Sequence, residues 1–159
     1  MTIAQLNDEF RSNPGKFSKN KVVMSVSVSA LDPIDQKSLM QQVSTFSDFN
    51  KDNDPFDEHD FGAIDFVTAE NKRFIEIRNT RLLQNEANRN KRNREDADNT
   101  YYNDQEEAIN ESFEIQKIEP VKYFWKIDYY DANLEYGSVD PTNDAITTRV
   151  LTIMEASEY

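Results

Sequence analysis

Residues 123–130 read YFWKIDYY, and the fold predicted for this chain is built around them. Side chains of an extended segment alternate between two faces, so Trp125, Ile127 and Tyr129 share one face. Aromatic and β-branched residues favour strands because they fit a pleated, half-buried surface. We therefore predict a strand in which Trp125 and Tyr129 belong to the core. The opposite face carries Phe124, Lys126, Asp128 and Tyr130.

The N-terminal third predicts two helices and one strand. The apolar spacing of IAQLNDEFR predicts a short amphipathic helix over residues 3–11. Residues 22–32, VVMSVSVSALD, alternate apolar residues with serine and predict a half-buried strand. Asp32 is then a helix N-cap and Pro33 the first helical residue. A helix over residues 33–46 follows, with an apolar stripe formed by Ile34, Leu39, Met40, Val43 and Phe46.

The middle of the chain predicts a hairpin followed by a charged arm. The segments AIDFV (63–67) and RFIEI (73–77) are rich in strand-forming residues, and the polar TAENK between them predicts a turn. Residues 78–99 carry six basic and four acidic residues, whereas residues 104–119 carry six acidic residues and one lysine. We predict an exposed arm over residues 78–118, either as a solvated helix or as disorder.

The C-terminal sequence predicts a helix over residues 143–157. Apolar residues recur there at helical spacing, namely Ile146, Val150, Ile153 and Met154. The predicted order is therefore helix, strand, helix, hairpin, charged insertion, hairpin and helix. This order is typical of an α+β protein with two or three helices packed on a small, mainly antiparallel sheet. We predict a single domain over residues 1–159, with the charged arm inserted into it.

Composition excludes several functional classes. The chain has no cysteine and one histidine, which excludes disulfides, thiolate metal sites and most catalytic triads. Its 18 basic and 30 acidic residues give a formal charge of −12, and phosphate repulsion then disfavours direct nucleic-acid binding. The N-terminus has neither a basic leader nor a long apolar segment, so we expect a cytoplasmic protein without a membrane span. Glycine-rich phosphate loops are missing from the sequence, and we expect no cofactor.

The stretch DNDPFDEHDFGAIDF, residues 52–66, surrounds the single histidine with acids. The segment that begins at Asp48 starts like an EF-hand calcium loop. Asn53 and His59, however, occupy the positions that require glycine and a bidentate glutamate. With no second histidine and no cysteine to complete a metal cage, we predict no metal site.

The same histidine has a catalytic and a structural interpretation. His59, Asp60 and Asp128 are candidates for proton transfer, because histidine titrates near neutral pH and a carboxylate can orient its ring. Asp131 belongs to the same candidate set. The structural interpretation is that His59 hydrogen-bonds within the turn and that Gly62 permits the bend into the following strand.

Four motifs in order, NDPFDEHDFGAIDF, WKIDYYD, LEYGSVDP and AITTRVLTIMEASEY, resemble the bacterial family known as domain of unknown function 3768. Val139 stands where that family has proline, and Glu155, Ala156 and Ser157 replace Leu-Ala-Glu. Residues 63–124, 62 in all, separate EHDFG from WKIDYYD, where the family has a short hairpin. The resemblance implies that the charged arm is an insertion. It also implies a plasmid, phage or other mobile-element context, and no assigned chemistry.

Charge, missing catalytic motifs and this context together predict a non-enzymatic acidic protein that binds a basic surface on a partner. Its concrete form is an anti-restriction or anti-CRISPR-like inhibitor that blocks a basic nucleic-acid-binding site by mimicking DNA. Two alternatives stay open: a small hydrolase or metal-dependent enzyme using His59, Asp60 and Asp128, and a regulator or antitoxin-like partner protein. The acids predicted to contact the partner are Asp52, Asp54, Asp57, Glu58, Asp60, Asp104, Glu106, Glu107, Glu111 and Glu114.

Overall fold

In the computed structural model, which describes residues 1–95 and 118–159, the chain forms two compact units. The first, here called the sheet unit, comprises residues 1–66 and 121–159, and the second comprises residues 67–120. The described helix of the second unit is α4 (Ala69–Glu95). The sheet unit contains α1 (Ile3–Ser12), β1 (Lys21–Met24), α2 (Val26–Ser29), α3 (Pro33–Ser44), β2 (Phe61–Phe66), β3 (Val121–Tyr130), β4 (Thr148–Glu155) and a final 3₁₀ turn (Ala156–Glu158).

The four strands form one mixed sheet in the order β1-β4-β3-β2. Strand β3 pairs antiparallel with both β2 and β4, whereas β1 pairs parallel with β4. The predicted strand over residues 123–130 is confirmed as part of β3, which has a neighbour on each side. The predicted α+β class with a mainly antiparallel sheet is also confirmed, because two of the three strand pairings are antiparallel.

One face of the sheet forms the hydrophobic core with side chains from α1, α2 and α3. Trp125 lies at its centre and is fully buried, as the alternation in β3 predicts. Gly62 of β2 pairs with Trp125, and a Cβ added to this glycine would lie 2.4 Å from the indole Nε1. Gly62 lies within the paired strand β2 and does not have a positive φ, so its backbone conformation does not require a glycine. The missing side chain instead makes room for the indole ring.

The two predicted helices of the N-terminal third are confirmed as α1 and α3. Helix α1 begins with a capping box, because the Thr2 hydroxyl accepts from the Gln5 backbone N–H and the Gln5 side chain accepts from the Thr2 N–H. Helix α3 begins at Pro33 after the N-cap residue Asp32. The predicted apolar stripe of α3 is wrong at Ile34, whose side chain is 74% exposed.

The strand predicted over residues 22–32 is wrong beyond Met24. Strand β1 ends there, and the short helix α2 begins at Val26 with Ser25 as its N-cap. The Ser25 hydroxyl accepts from the Val28 backbone N–H at 3.4 Å. Serine competes well for such a cap, which overrides the strand preference of the valines. As a result Val26 is 84% exposed while Val28 is fully buried, although both were predicted on one strand face.

The predicted hairpin between residues 63–67 and 73–77 is also wrong. Strand β2 pairs with β3 instead, and RFIEI lies within helix α4. Thr68 starts this helix, since its hydroxyl accepts from the Asn71 backbone N–H at 3.2 Å. The arm predicted over residues 78–118 was expected to be either a solvated helix or disordered. Its described part is helical as far as Glu95, and residues 96–117 lie outside the described residues.

The predicted C-terminal helix over residues 143–157 is wrong, because residues 148–155 form strand β4. Helical spacing and strand alternation both place Ile153 and an apolar neighbour on one face, so the pattern alone is ambiguous. The sheet decides between them: β4 is paired on both sides, and Leu151 and Ile153 are buried against the core. Buried β-branched residues fit such a central strand well.

Candidate functional site

The residues around His59 line an open cleft of about 750 Å³, here called the His59 cleft. Helix α1 contributes one wall, and the end of α3 with the loop that follows it contributes the other. A third segment contributes Asp57 and His59, so the cleft brings together three segments that are separate in sequence. Its lining residues are Asp8, Glu9, Arg11, Ser12, Ser44, Thr45, Phe46, Ser47, Phe49, Asp57 and His59.

Arg11 of α1 is buried at the base of this cleft and holds the surrounding segments together. Its guanidinium donates to the carbonyl oxygens of Val43 at 2.8 Å and of Phe46 at 3.0 Å. It also forms an ion pair with Asp8 at 2.5 Å and lies 4.6 Å from the centre of the Trp125 ring. Charge-assisted hydrogen bonds and the cation–π contact compensate for burying the charge.

Asp8 also fixes the imidazole ring of His59. The His59 Nδ1 lies 2.9 Å and 3.1 Å from the two carboxylate oxygens of Asp8. The imidazole stacks on Phe49, with ring centres 4.0 Å apart and ring planes within 2° of parallel. The carboxylate fixes which nitrogen faces α1, and the stack fixes the plane of the ring.

The other imidazole nitrogen, Nε2, faces two further carboxylates. Asp54 Oδ2 lies 3.8 Å from it, and Asp57 Oδ1 lies 3.5 Å from it. Asp54 is buried and accepts from the backbone N–H groups of Glu58 and His59. Asp57 and His59 both have a left-handed backbone, with φ of 55° and 54°. For residues other than glycine this conformation costs about 1–2 kcal/mol each, and here it turns the two side chains toward one another.

A buried hydrogen-bond network holds the loop that contains Asp54, Asp57 and His59, residues 47–60, against the sheet. Asn7 donates to the Glu58 carbonyl at 2.8 Å and to the Tyr129 hydroxyl at 2.7 Å, while it accepts from the Arg149 Nε–H at 3.0 Å. Burial raises the pKa of the Tyr129 hydroxyl well above its usual range. Burial likewise lowers the pKa of Arg149, although Asp144 opposes that shift. This network makes the loop part of the folded sheet unit.

The three candidate catalytic residues are not gathered into one pocket. His59 lines the His59 cleft and is oriented by Asp8, a residue that the sequence did not single out. Asp128 instead lines a second cleft of about 690 Å³ on the opposite face of the sheet, where it pairs with Lys126 at 3.0 Å. Asp60 is half-buried, and burial together with the Glu58 charge raises its pKa. Asp131 accepts from the Glu135 backbone N–H in a turn.

The predicted partner-binding acids divide into three groups. Asp52 and Asp57 are exposed, and the Asp57 side chain is 91% exposed. Asp54, Glu58 and Asp60 are buried or half-buried; the Asp54 carboxylate accepts from the backbone as described above, and the Glu58 carboxylate accepts from the Tyr129 hydroxyl at 3.2 Å. The remaining acids lie outside the described residues, namely Asp104, Glu106, Glu107, Glu111 and Glu114.

Sequence patterns missed the residues that surround the histidine. Asp8 and Arg11 come from helix α1, far from His59 in sequence, whereas Phe49 lies only ten positions before it; no motif links any of the three to the histidine. The spacing of Asp8 and Arg11 was the one available signal, because opposite charges three residues apart meet on a helix. That signal reports a helical ion pair and does not reveal that the histidine joins it.

Fold and site together define the class: an α+β protein in which an acidic loop holds a stacked histidine against an N-terminal helix. A family model described as "Protein of unknown function (DUF3768)" matches residues 24–158. The match covers most of the chain, so the protein belongs to this family, and the resemblance found in the motifs is confirmed. Helix α1, which supplies Asp8 and Arg11, lies outside the matched range.

Comparison with curated proteins and with solved structures gave no match. Among the helices of the described residues, none has the length and apolar character that crossing a membrane requires.

Proposed function

We propose that this protein is a non-enzymatic interaction module whose acidic loop, residues 47–60, binds a positively charged surface on a partner protein. The observation that supports this proposal most is the exposure of Phe56, a residue that is 82% exposed and lies between the exposed acids Asp52 and Asp57. An exposed aromatic side chain contributes little to the stability of the folded chain. In many protein interfaces, by contrast, aromatic anchors surrounded by a charged rim contribute most of the binding energy. Asp52 and Asp57 supply that rim.

The charge of the sheet unit supports a basic partner. This unit carries nine basic and eighteen acidic residues, which gives it a formal charge of −9 within the −12 of the whole chain. Such a field raises the association rate with a positively charged surface and slows the approach of phosphate-bearing molecules. The acids that remain exposed on the loop can contact a partner directly, while the buried ones hold the loop in shape.

The concrete form of the proposal is an anti-restriction or anti-CRISPR-like inhibitor. A surface whose carboxylates compete with phosphates occupies the basic groove of a nucleic-acid-binding enzyme and blocks it. The mobile-element context implied by the family resemblance fits this role. On this proposal the protein acts by occupying its target and carries out no reaction.

The test is capture from a bacterial lysate by the immobilised full-length chain, with duplex DNA as competitor. We expect a basic nucleic-acid-binding protein to be captured and to be released by duplex DNA or by salt. The variant Asp52→Lys/Asp57→Lys should lose this capture. Phe56→Ala should weaken it by about thirtyfold, the effect of losing a 2 kcal/mol anchor residue. The matched control is Asp65→Lys/Glu135→Lys, which changes the charge equally at exposed positions elsewhere on the sheet unit.

Two outcomes would contradict the proposal. Capture that survives Asp52→Lys/Asp57→Lys at both low and high salt would show that the loop acids are not the contact. An equal loss in the control variant would show that total charge, and not this loop, attracts the captured protein. If the captured protein instead protected residues 78–95 from hydrogen exchange, the regulator or antitoxin-like alternative would be favoured.

A further inference from the structure

Three potential metal ligands converge beside the His59 cleft. Ligand atoms of Asp54, Asp57 and His59 all lie within 4.8 Å of one another, and this is the one such group of three found in the described residues. One ligand is an imidazole nitrogen and two are carboxylates, so the group differs from a simple cluster of surface acids. Borderline divalent ions such as Zn²⁺ and Co²⁺ prefer this mixed nitrogen and oxygen set, whereas Ca²⁺ and Mg²⁺ prefer oxygen alone.

We propose that Asp54, Asp57 and His59 bind a divalent transition-metal ion. Bonds of about 2.0–2.2 Å in a tetrahedral site place ligand atoms roughly 3.3 Å apart. The His59 Nε2 lies 3.5 Å from Asp57 Oδ1 and 3.8 Å from Asp54 Oδ2, so these pairs need to close by only a few tenths of an ångström. Rotation of the exposed Asp57 side chain can close the Asp57 pair, whereas closing the Asp54 pair needs a small shift of the imidazole or of the Asp54 carboxylate.

The residues behind the ligands provide the outer contacts that metal sites need. An ionised Asp8 carboxylate can only accept, so its contact with Nδ1 requires an Nδ1–H; in the neutral ring the Nε2 lone pair then faces Asp54 and Asp57. Backbone N–H groups of Glu58 and His59 hold the Asp54 carboxylate at 2.9 Å and 3.2 Å. Carboxylates that orient a ligating histidine, and hydrogen bonds that hold a ligating carboxylate, recur around bound metals. The stack on Phe49 fixes the remaining freedom of the imidazole ring.

Three protein ligands leave coordination positions open. His59 and Asp57 line the His59 cleft, so these positions face water or a small ligand in the cleft. Sequence motifs gave no sign of the site, because its ligands follow none of the established metal-binding spacings and its orienting residue, Asp8, comes from α1. The proposal is independent of the proposed function, since ion binding needs no partner protein.

The same geometry could also exist without a metal ion, and the experiment must distinguish the two explanations. An imidazole with hydrogens on both ring nitrogens could donate to Asp8 on one side and face Asp54 and Asp57 on the other without any bound ion. In that case added metal ions would find no lone pair on Nε2. The chain contains one histidine, so its imidazole resonances report on this site without ambiguity.

The experiment adds Co²⁺ or Zn²⁺ to the full-length chain after treatment with a chelator. Calorimetry should show one Zn²⁺ bound per chain, and Co²⁺ should shift or broaden the imidazole NMR signals, whereas Mg²⁺ should do neither. Asp57→Asn removes one ligand at an exposed position and should weaken Zn²⁺ binding at least tenfold. Asp8→Asn, which removes the orienting carboxylate, should weaken it by about 10- to 100-fold. The matched control Asp52→Asn removes an exposed acid of the same loop and should leave affinity unchanged.

The proposal is overturned if Zn²⁺ leaves the imidazole signals unchanged, because Nε2 would then be no ligand. It is also overturned if Asp52→Asn weakens binding as much as Asp57→Asn does, since diffuse attraction by the acidic loop would explain both. Circular dichroism of each variant establishes that it is folded before affinities are compared.

Discussion

Replacing Gly62 with alanine tests the packing at the centre of the fold. The added Cβ would lie 2.4 Å, 2.6 Å and 2.8 Å from three atoms of the Trp125 indole. The indole cannot retreat, because Arg11 lies over its ring and Phe46 packs against it with ring centres 5.4 Å apart. Overpacking a rigid core costs about 1–3 kcal/mol, and three contacts this short place Gly62→Ala near the upper value.

One effect opposes this cost. Alanine restricts the unfolded chain more than glycine does, which stabilises the folded state by about 0.4–1 kcal/mol where the backbone conformation suits alanine. Gly62 does not have a positive φ, so this gain applies. The net loss is therefore about 2 kcal/mol, which for a chain of this length lowers Tm by about 4–8 °C. Thermal unfolding followed by circular dichroism measures the shift.

The control is Gly15→Ala, because nothing lies within 4 Å of a Cβ added at Gly15. This variant should match or slightly exceed the stability of the unaltered protein. Trp125→Phe should partly rescue Gly62→Ala, since the smaller ring vacates the space that the methyl group enters, and a double-mutant cycle should show coupling of about 1–2 kcal/mol. Equal Tm values for Gly62→Ala and Gly15→Ala would refute the argument.

Three further predictions concern the contacts that hold the site and the chain ends. Arg11→Met should lower the free energy of unfolding by about 3 kcal/mol in urea titrations, because the carbonyl oxygens of Val43 and Phe46 lose their charge-assisted hydrogen bonds from the guanidinium. Asn7→Ala should cost about 2–4 kcal/mol in the same assay, since it removes three hydrogen bonds at once and leaves the buried Arg149 Nε–H without its acceptor. A hydrogen bond from the Ser25 hydroxyl, with others from the Glu155 and Ser27 backbones, lowers the pKa of Glu158 below its usual 4.5. The resulting stability is fully present above pH 4.5 and is lost as pH falls through the lowered pKa, so the Tm difference between the unaltered protein and Glu158→Gln should shrink between pH 6 and pH 3.

The alternation of β3 and the start of α3 could be predicted because they are local. Trp125 and Tyr123 are buried on the face that the period of two assigns to them, and Pro33 begins α3 as its fixed φ predicts. The failures occurred where two local preferences were close in energy. Residues 22–32 satisfy a strand pattern and also a serine cap, and residues 148–155 satisfy helical and strand spacing at once.

The candidate site was predictable only as a set of residue types. The sequence shows one histidine among acids, but it does not show that Asp8 and Phe49 fix the ring or that Asp128 lies in another cleft. Those facts depend on how α1 and the acidic loop pack against the sheet. A contact such as Asp8–His59, between residues 51 positions apart, leaves no periodic trace in the sequence, and the Phe49–His59 stack forms only when the loop between them folds back.

The sequence by itself determined the −12 charge and the classes of chemistry excluded by the lack of cysteine, which follow from composition. It also determined the α+β class and the family, which follow from local residue patterns and motifs. The tertiary structure decided that the C-terminal segment is a strand, that Gly62 serves the indole of Trp125, and that His59 is held between Asp8 and two further carboxylates. The physical reason is the same in each case. Local preferences of about 1 kcal/mol or less per residue are overridden when a segment buries apolar side chains or completes strand pairing in the folded chain.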